Sequence, residues 1–271
     1  MEGKRTDVPQ GLLIDLDGTL YHGRRMIPGA DRWVASLQAA ELPYLFVTNN
    51  SSLAPEAVAE RLQTMGIPAA AEQVCTSAQA AAAYIAGRSP GAPVHIVGEV
   101  GLRTAAEQAG LALVEESADY VLQGIDRGFD YPKLSHAARL IRAGAAYILT
   151  NPDLLLPTED GLEPGAGALG AMLQAAGQRE PTIIGKPSPI LVSYALARLG
   201  MTPGSVWMVG DNMATDIAAA RRAGCGAVLV LTGVTTAASL RSDTERAGIS
   251  PDLIFEDLMQ LERYMNAMLR T

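Results

Sequence analysis

Four acidic residues and one lysine stand out by where they fall in the chain. An apolar run, Leu12-Leu13-Ile14, leads directly into Asp15-Leu16-Asp17-Gly18-Thr19. Side chains alternate faces along a strand, so Asp15 and Asp17 share one side, and Gly18 permits a turn that lets both carboxylates meet at the strand's carboxyl end. Two carboxylates a few Å apart repel unless a cation lies between them or one is protonated. The plain alternative is an Asx-type turn closing a strand, since Asp-Gly is a common turn pair. A second apolar run, 44–47, ends in Thr48-Asn49-Asn50-Ser51-Ser52. Hydroxyl, amide and backbone N–H groups in that position suit an oxyanion such as phosphate, whereas a helix cap needs only one of them. A third run ends in Gly185-Lys186-Pro187. A fixed ammonium there is a point-charge partner for phosphate and aspartate oxygens, although lysine is more usually exposed. The fourth run, 206–209, ends in Gly210-Asp211, with Asp216 five residues on. Asp211 is placed to ligate a metal, and Asp216 to ligate it too or to orient the ligands. Read blandly, Asp216 is a first-turn acid facing a helix dipole. Hard carboxylate oxygens with no His or Cys nearby favour Mg²⁺ over zinc.

These groups need a scaffold that brings four strand ends to one edge. Apolar runs at 11–14, 44–48, 94–98, 120–123, 147–150, 182–185, 206–210 and 227–231 alternate with helical patterns at 31–40, 55–65, 102–109, 133–143, 190–199 and 215–223. Strands that read as unbroken apolar runs are buried on both faces, which predicts α/β architecture with parallel sheets. Open sheets of that kind bind ligands at their carboxyl edge. Turn-rich stretches at 87–93 and 176–181 predict a middle module, with limits 1–80, 81–182 and 183–271. On that scaffold the four strand ends combine as a nucleophile, an acid/base, phosphate donors, a fixed cation and a metal site.

Composition narrows the partners. The chain has 271 residues, 48% of them hydrophobic and 18% charged, with a formal net charge of −8. That apolar fraction excludes a disordered chain. The negative balance argues against a nucleic-acid backbone binder, and a phosphate ligand would need local positive charge, most simply a metal ion. No apolar stretch approaches the roughly 18 residues of a membrane helix, and the N-terminal residues lack the apolar core of a signal peptide. The expectation is a cytoplasmic protein with no membrane partner. Cys75 and Cys225 match no zinc or redox spacing and read as buried core thiols.

The motifs together resemble those of haloacid dehalogenase superfamily phosphatases. The four motifs of that superfamily appear as Asp15-Leu16-Asp17-Gly18-Thr19, Thr48-Asn49-Asn50, Lys186, and Gly210-Asp211 with Asp216. Thr150-Asn151-Pro152-Asp153, Pro157-Thr158-Glu159-x-Gly161-Leu162, Pro164-Gly165-Ala166-Gly167, Gly185-Lys186-Pro187-Ser188-Pro189 and Leu229 to Thr235 are similar to the NagD-like, class IIA branch. The resemblance implies a Rossmann-like core with an α/β cap of type C2 inserted between the second and third motifs. It also implies Mg²⁺ held by Asp15, the backbone carbonyl of Asp17, and Asp211, with Asp216 close to the metal. Asp15 becomes the nucleophile that carries the phosphoryl group and Asp17 the acid/base. Lys186, Thr48, Asn49 and Asn50 become the phosphate-binding groups. The reaction implied is hydrolysis of a small phosphate ester such as a nucleoside monophosphate or a sugar or polyol phosphate. The same residues would serve a phosphotransferase. A catalytically silent phosphometabolite-binding protein is the other alternative, but it has no use for a nucleophile paired with an acid.

The cap is expected to close over the site, and the strand ends 123–127 and 150–159 are expected to select substrate. A homodimer through cap surfaces is a further expectation. Gly165-Ala166-Gly167-Ala168-Leu169-Gly170 matches the letters of a dinucleotide fingerprint, but a polar turn-rich loop at 157–164 precedes it rather than a strand, and no acid follows at ribose distance. His22, His95 and His136 are scattered and match no triad or ligand spacing, so each reads as structural. Arg221-Arg222 reads as a solvated or dipole-facing pair.

Overall fold

A computed structural model of the chain describes residues 8–158 and 161–269. Residues 1–7, part of the leader reading, and Glu159, part of the substrate-selection reading, lie outside the described residues. The main strands in chain order are β1 (Gly11–Ile14), β2 (Tyr44–Thr48), β3 (Val74–Thr76), β4 (Pro93–Val97), β5 (Ala112–Leu113), β6 (Tyr120–Gln123), β7 (Ala146–Leu149), β8 (Thr182–Ile183), β9 (Val206–Gly210), β10 (Gly226–Val230) and β11 (Leu253–Phe255). The architecture is α/β, as the unbroken apolar runs require.

The chain divides into two compact units. One comprises Met1–Thr48, Val58–Val74 and Lys186–Thr271, and the other Asn49–Ala57 and Cys75–Gly185. The first holds the sheet ordered β11-β10-β9-β1-β2-β3, whose outer strand β3 is where the chain passes into the second unit. Its strands run parallel, with Ile14 in register with Val209 on one side and Phe46 on the other. Central strands β1, β2, β9 and β10 are buried at every position. That burial explains why they carry no polar alternation. Helices Ala30–Ala39, Pro189–Leu199, Ala218–Ala223 and Leu258–Met268 also belong to this unit.

The second unit has its own parallel sheet, ordered β8-β7-β6-β4-β5. Its helices are Ser77–Ala86, Val100–Gln108, Tyr131–Arg142 and Ala166–Gly177. A core of Val97, Val121, Ile141, Tyr147 and Leu173 joins strands to helices there. An antiparallel hairpin of Leu155–Thr158 and Gly161–Pro164 precedes the last of these helices, where the sequence predicts a loop. The residues of its second strand are all exposed, so they carry no burial pattern that would mark a strand.

The hairpin does not turn the glycine-rich segment into a dinucleotide site, because its strands form an antiparallel ribbon outside the parallel sheet. The glycines answer to packing. A Cβ on Gly165 would lie 2.2 Å from the Asp153 carbonyl oxygen, and one on Gly167 would lie 2.1 Å from that of Pro152. Both cysteines are buried. Among the described residues no helix is long and apolar enough to cross a membrane.

Candidate active site

The carboxyl edge of the first unit's sheet gathers Asp15, Lys186, Asp211 and Asp216. Asp15 follows β1, and its amide donates to the Val209 carbonyl at 2.9 Å, which carries the strand geometry into the site. Lys186 opens the last segment of this unit and is 2% exposed. Its Nζ donates to Asp15 Oδ1, lies 2.7 Å from Asp216 Oδ1, and donates to the Val47 carbonyl at 3.2 Å. The ammonium thus joins the ends of β1 and β2 to the turn after β9.

That turn departs from the expected helix at 215–223. Residues Met213–Ile217 form a wide π-helical turn before the α-helix Ala218–Ala223 begins. Its width lets Asp216 reach back, and Asp216 Oδ2 accepts from the amides of Asp211 and Asn212 at 3.2 and 3.1 Å. Such wide turns recur at functional sites.

Asp211 is held from the far side. Val234 N–H donates to its Oδ2 at 2.6 Å, and Thr19 Oγ1 lies 3.4 Å from its Oδ1 and 3.2 Å from Asp15 Oδ2. Gly18 has φ +85°, and a Cβ there would lie 2.4 Å from Asp211 Oδ2. A side chain at Gly18 would therefore suffer backbone strain and displace the carboxylate. Sequence reasoning assigns no role to Thr19 or Val234. Both lie in quoted motifs, but a backbone N–H leaves no trace in residue type.

Three buried carboxylates, Asp15, Asp211 and Asp216, each present an oxygen within 4.8 Å of the others. Burial, with Asp216 next in importance, pushes Asp15 well above the ordinary carboxylate range, and Lys186 pulls it back only in part. Burial and Asp216 likewise push Asp211 up to about 7. Burial would lower Lys186, but Asp15 and Asp216 outweigh it and hold the ammonium above its usual range. One lysine against three carboxylates leaves the cluster short of positive charge. All-oxygen donors in that state fit a hard divalent cation.

Asp17 is exposed and is not one of the three converging carboxylates. Protein packed around it raises its pKa, with Arg61 and then His22 acting in the opposite direction. His22, read as structural, reaches the Thr232 carbonyl at 2.7 Å, and the Arg61 guanidinium lies 4.9 Å from the Tyr21 ring centre.

Thr48 ends β2 in the first unit, whereas Asn49 and Asn50 are counted with the second. Within the second unit Asn49 Nδ2 donates to Asp153 Oδ2 at 3.0 Å. Asn50 Oδ1 accepts from the amides of Ser52 and Leu53, each at 3.0 Å. At the strand ends expected to select substrate, Gln123 is fully buried, with its amide nitrogen on the carbonyls of Gly124 and Ala166 and its oxygen bound by Tyr147. Asp126 pairs with Lys133 at 2.7 Å, and Arg127 with Glu99 at 2.9 Å. His95 and His136, scattered in the chain, are neighbours in the fold, with ring centroids 4.8 Å apart.

Comparison with known proteins agrees with this geometry. The profile of the haloacid dehalogenase-like hydrolases matches residues 12–112, and that of HAD-hydrolase-like proteins matches 183–261. A Bacillus subtilis protein named 5'-nucleotidase YutF is 44% identical over 91% of this chain and 96% of its own. Acid sugar phosphatase of Staphylococcus aureus is 43% identical over 91% of this chain and 94% of its own. Among solved structures, p-nitrophenyl phosphatase from Archaeoglobus fulgidus superposes with a TM-score of 0.89 at 35% identity, covering 94% of this chain and 98% of that one. NagD from E. coli superposes with a TM-score of 0.85 at 30% identity, covering 93% and 97%. The chain belongs to the haloacid dehalogenase-like hydrolases and is a phosphatase of that family. Within the family it falls in the NagD-like, class IIA branch, whose α/β core carries an inserted cap.

Proposed function

We propose that the chain is a Mg²⁺-dependent phosphomonoester hydrolase that carries the phosphoryl group on Asp15 and acts on a small metabolite. The observation that supports this most strongly is the joining of Asp15, Lys186 and two further buried carboxylates at one sheet edge. The relatives named a 5'-nucleotidase and an acid sugar phosphatase point to nucleoside monophosphates or sugar and polyol phosphates.

Asp15 attacks phosphorus, and the bond from phosphorus to the ester oxygen breaks as Asp17 gives that oxygen a proton. Asp17, now a carboxylate, takes a proton from water, whose oxygen attacks the same phosphorus and releases phosphate and Asp15. Splitting one hard step into two is covalent catalysis of the ordinary kind. The raised pKa of Asp17 favours the protonated form that the first step needs. Lys186 orients Asp15 and offsets charge on the phosphoryl oxygens, and Thr48, Asn49 and Asn50 are assigned as further donors to them.

Asp15, Asp211 and Asp216, with the Asp17 backbone carbonyl, are the groups that would hold the Mg²⁺. When bound, the ion supplies positive charge that offsets the repulsion between an anionic nucleophile and a phosphate ester. Proton transfer contributes about 10²–10⁴ to rate, whereas phosphate monoester hydrolysis can need up to about 10²¹. Positioning and electrostatics must therefore carry most of the acceleration. Substrate choice is assigned to the inserted α/β part of the chain, near 81–182.

Phosphate release from a panel of such esters and from p-nitrophenyl phosphate tests the reading. The expected result is Mg²⁺-dependent release that Asp15→Asn lowers by several orders of magnitude. No release from folded protein, or wild-type rates in Asp15→Asn, would overturn it.

A further inference from the structure

Two histidines from distant parts of the chain meet on the second unit, and neither is among the residues assigned to phosphoryl transfer. His95 is the third residue of β4, between the buried Val94 and Ile96, and is itself 7% exposed. His136 lies on the helix Tyr131–Arg142. Between them is Glu115, two residues past β5, whose Oε2 is 3.5 Å from His95 Nδ1. One ring nitrogen from each histidine and a carboxylate oxygen of Glu115 all lie within 4.8 Å of one another.

We propose that His95, Glu115 and His136 form a site for Zn²⁺ or a chemically similar divalent transition metal. Two imidazoles and one carboxylate are borderline ligands that suit zinc better than magnesium. Zinc bonds of about 2.0–2.2 Å put neighbouring ligands of a tetrahedron roughly 3.3–3.5 Å apart. The His95–Glu115 pair already has that spacing; His95 Nδ1 also lies 3.3 Å from the Val114 carbonyl, so a metal bound there displaces the proton that this nitrogen gives to the carbonyl. The spacings to Glu115 can close further, because its side chain is 78% exposed.

On His136 the hydrogen bonds show which nitrogen is available. His136 Nε2 lies 2.6 Å from the Glu115 carbonyl oxygen and so carries the proton it donates. That leaves Nδ1 with the lone pair, and it accepts from Arg139 at 3.2 Å. The ring therefore already presents its lone pair to a cation. Arg139 is exposed and can leave. Bound there, the ion would clip β4, the 114–119 segment and the Tyr131–Arg142 helix together.

Zn²⁺ titrated calorimetrically into the full chain, with Mg²⁺ in excess, tests this without reference to turnover. Parallel Co²⁺ absorption spectra report the ligand set, and circular dichroism confirms that each variant is folded. Wild-type protein is expected to bind one equivalent that His136→Ala weakens by about tenfold or more, since loss of even an outer partner costs about 10–100-fold. His95→Ala should weaken it similarly, and Arg139→Gln should tighten it by removing a competing positive charge. Zn²⁺ should also raise the melting temperature of wild type more than that of His136→Ala. Affinity and stoichiometry unchanged in folded His136→Ala would overturn the proposal, because that residue is partly exposed and not needed for packing as His95 is.

Discussion

Lys186 Nζ lies 2.7 Å from Asp216 Oδ1, while Asp216 Oδ2 receives the backbone amides of Asp211 and Asn212. Asp216 therefore fixes at once the cation that binds Asp15 and the loop that presents Asp211. Asp216→Asn keeps the shape but removes the charge, leaving an amide against the ammonium. The Mg²⁺ concentration needed for half-maximal activity is expected to rise about 10–100-fold, the usual cost of losing a group that orients or adds to a metal's ligands. A metal titration of activity checks this. An unchanged metal requirement would contradict it.

Protons and metal should compete for the cluster. Asp211 is pushed up to about 7 from an ordinary 3.8, and Asp15 is raised as well. A carboxyl whose folded pKa exceeds its unfolded one binds more protons when folded. Its contribution to stability therefore falls as pH rises, here between about 4 and 7. A divalent cation replaces those protons. The rise in melting temperature on adding Mg²⁺ to chelator-treated protein is expected to be small near pH 5 and larger near pH 8. An increment independent of pH would count against the carboxylates as the metal site.

Much of this arrangement was legible in the sequence, for a physical reason. Strands β1, β2, β6 and β9 occupy the expected residues, because strands buried on both faces must read as unbroken apolar runs. The residues after them must then leave the sheet at its carboxyl edge. Asp15, Lys186, Asp211 and Asp216 meet there, as the expectation of a shared site requires. What was not legible falls into two kinds. Exposed elements such as the Gly161–Pro164 strand carry no burial pattern. Contacts made by backbone, as Val234 to Asp211, or between distant residues, as His95 to His136, depend on topology rather than residue type.

Asp17 as general acid has its own signature. Asp17→Asn is expected to lower kcat/KM by about 10²–10⁴ for an alkyl phosphate, whose leaving oxygen needs a proton. For p-nitrophenyl phosphate the loss should be smaller, because nitrophenolate departs without one. Steady-state rates for the two esters with wild type and variant check this. Equal losses in kcat/KM, which does not include the phosphoenzyme hydrolysis that both esters share, would mean that Asp17 acts through folding or metal binding instead.

The most direct test of the central claim is to trap the phosphoryl group on the enzyme. Wild-type protein turning over p-nitrophenyl phosphate labelled at phosphorus would be quenched rapidly in acid. Reduction with borohydride would then convert an acyl phosphate to an alcohol that mass spectrometry can place. The account predicts label on the protein that rises before steady state, homoserine at position 15, and neither in Asp15→Asn. Label on another residue, or steady turnover with no covalent species at any quench time, would contradict it.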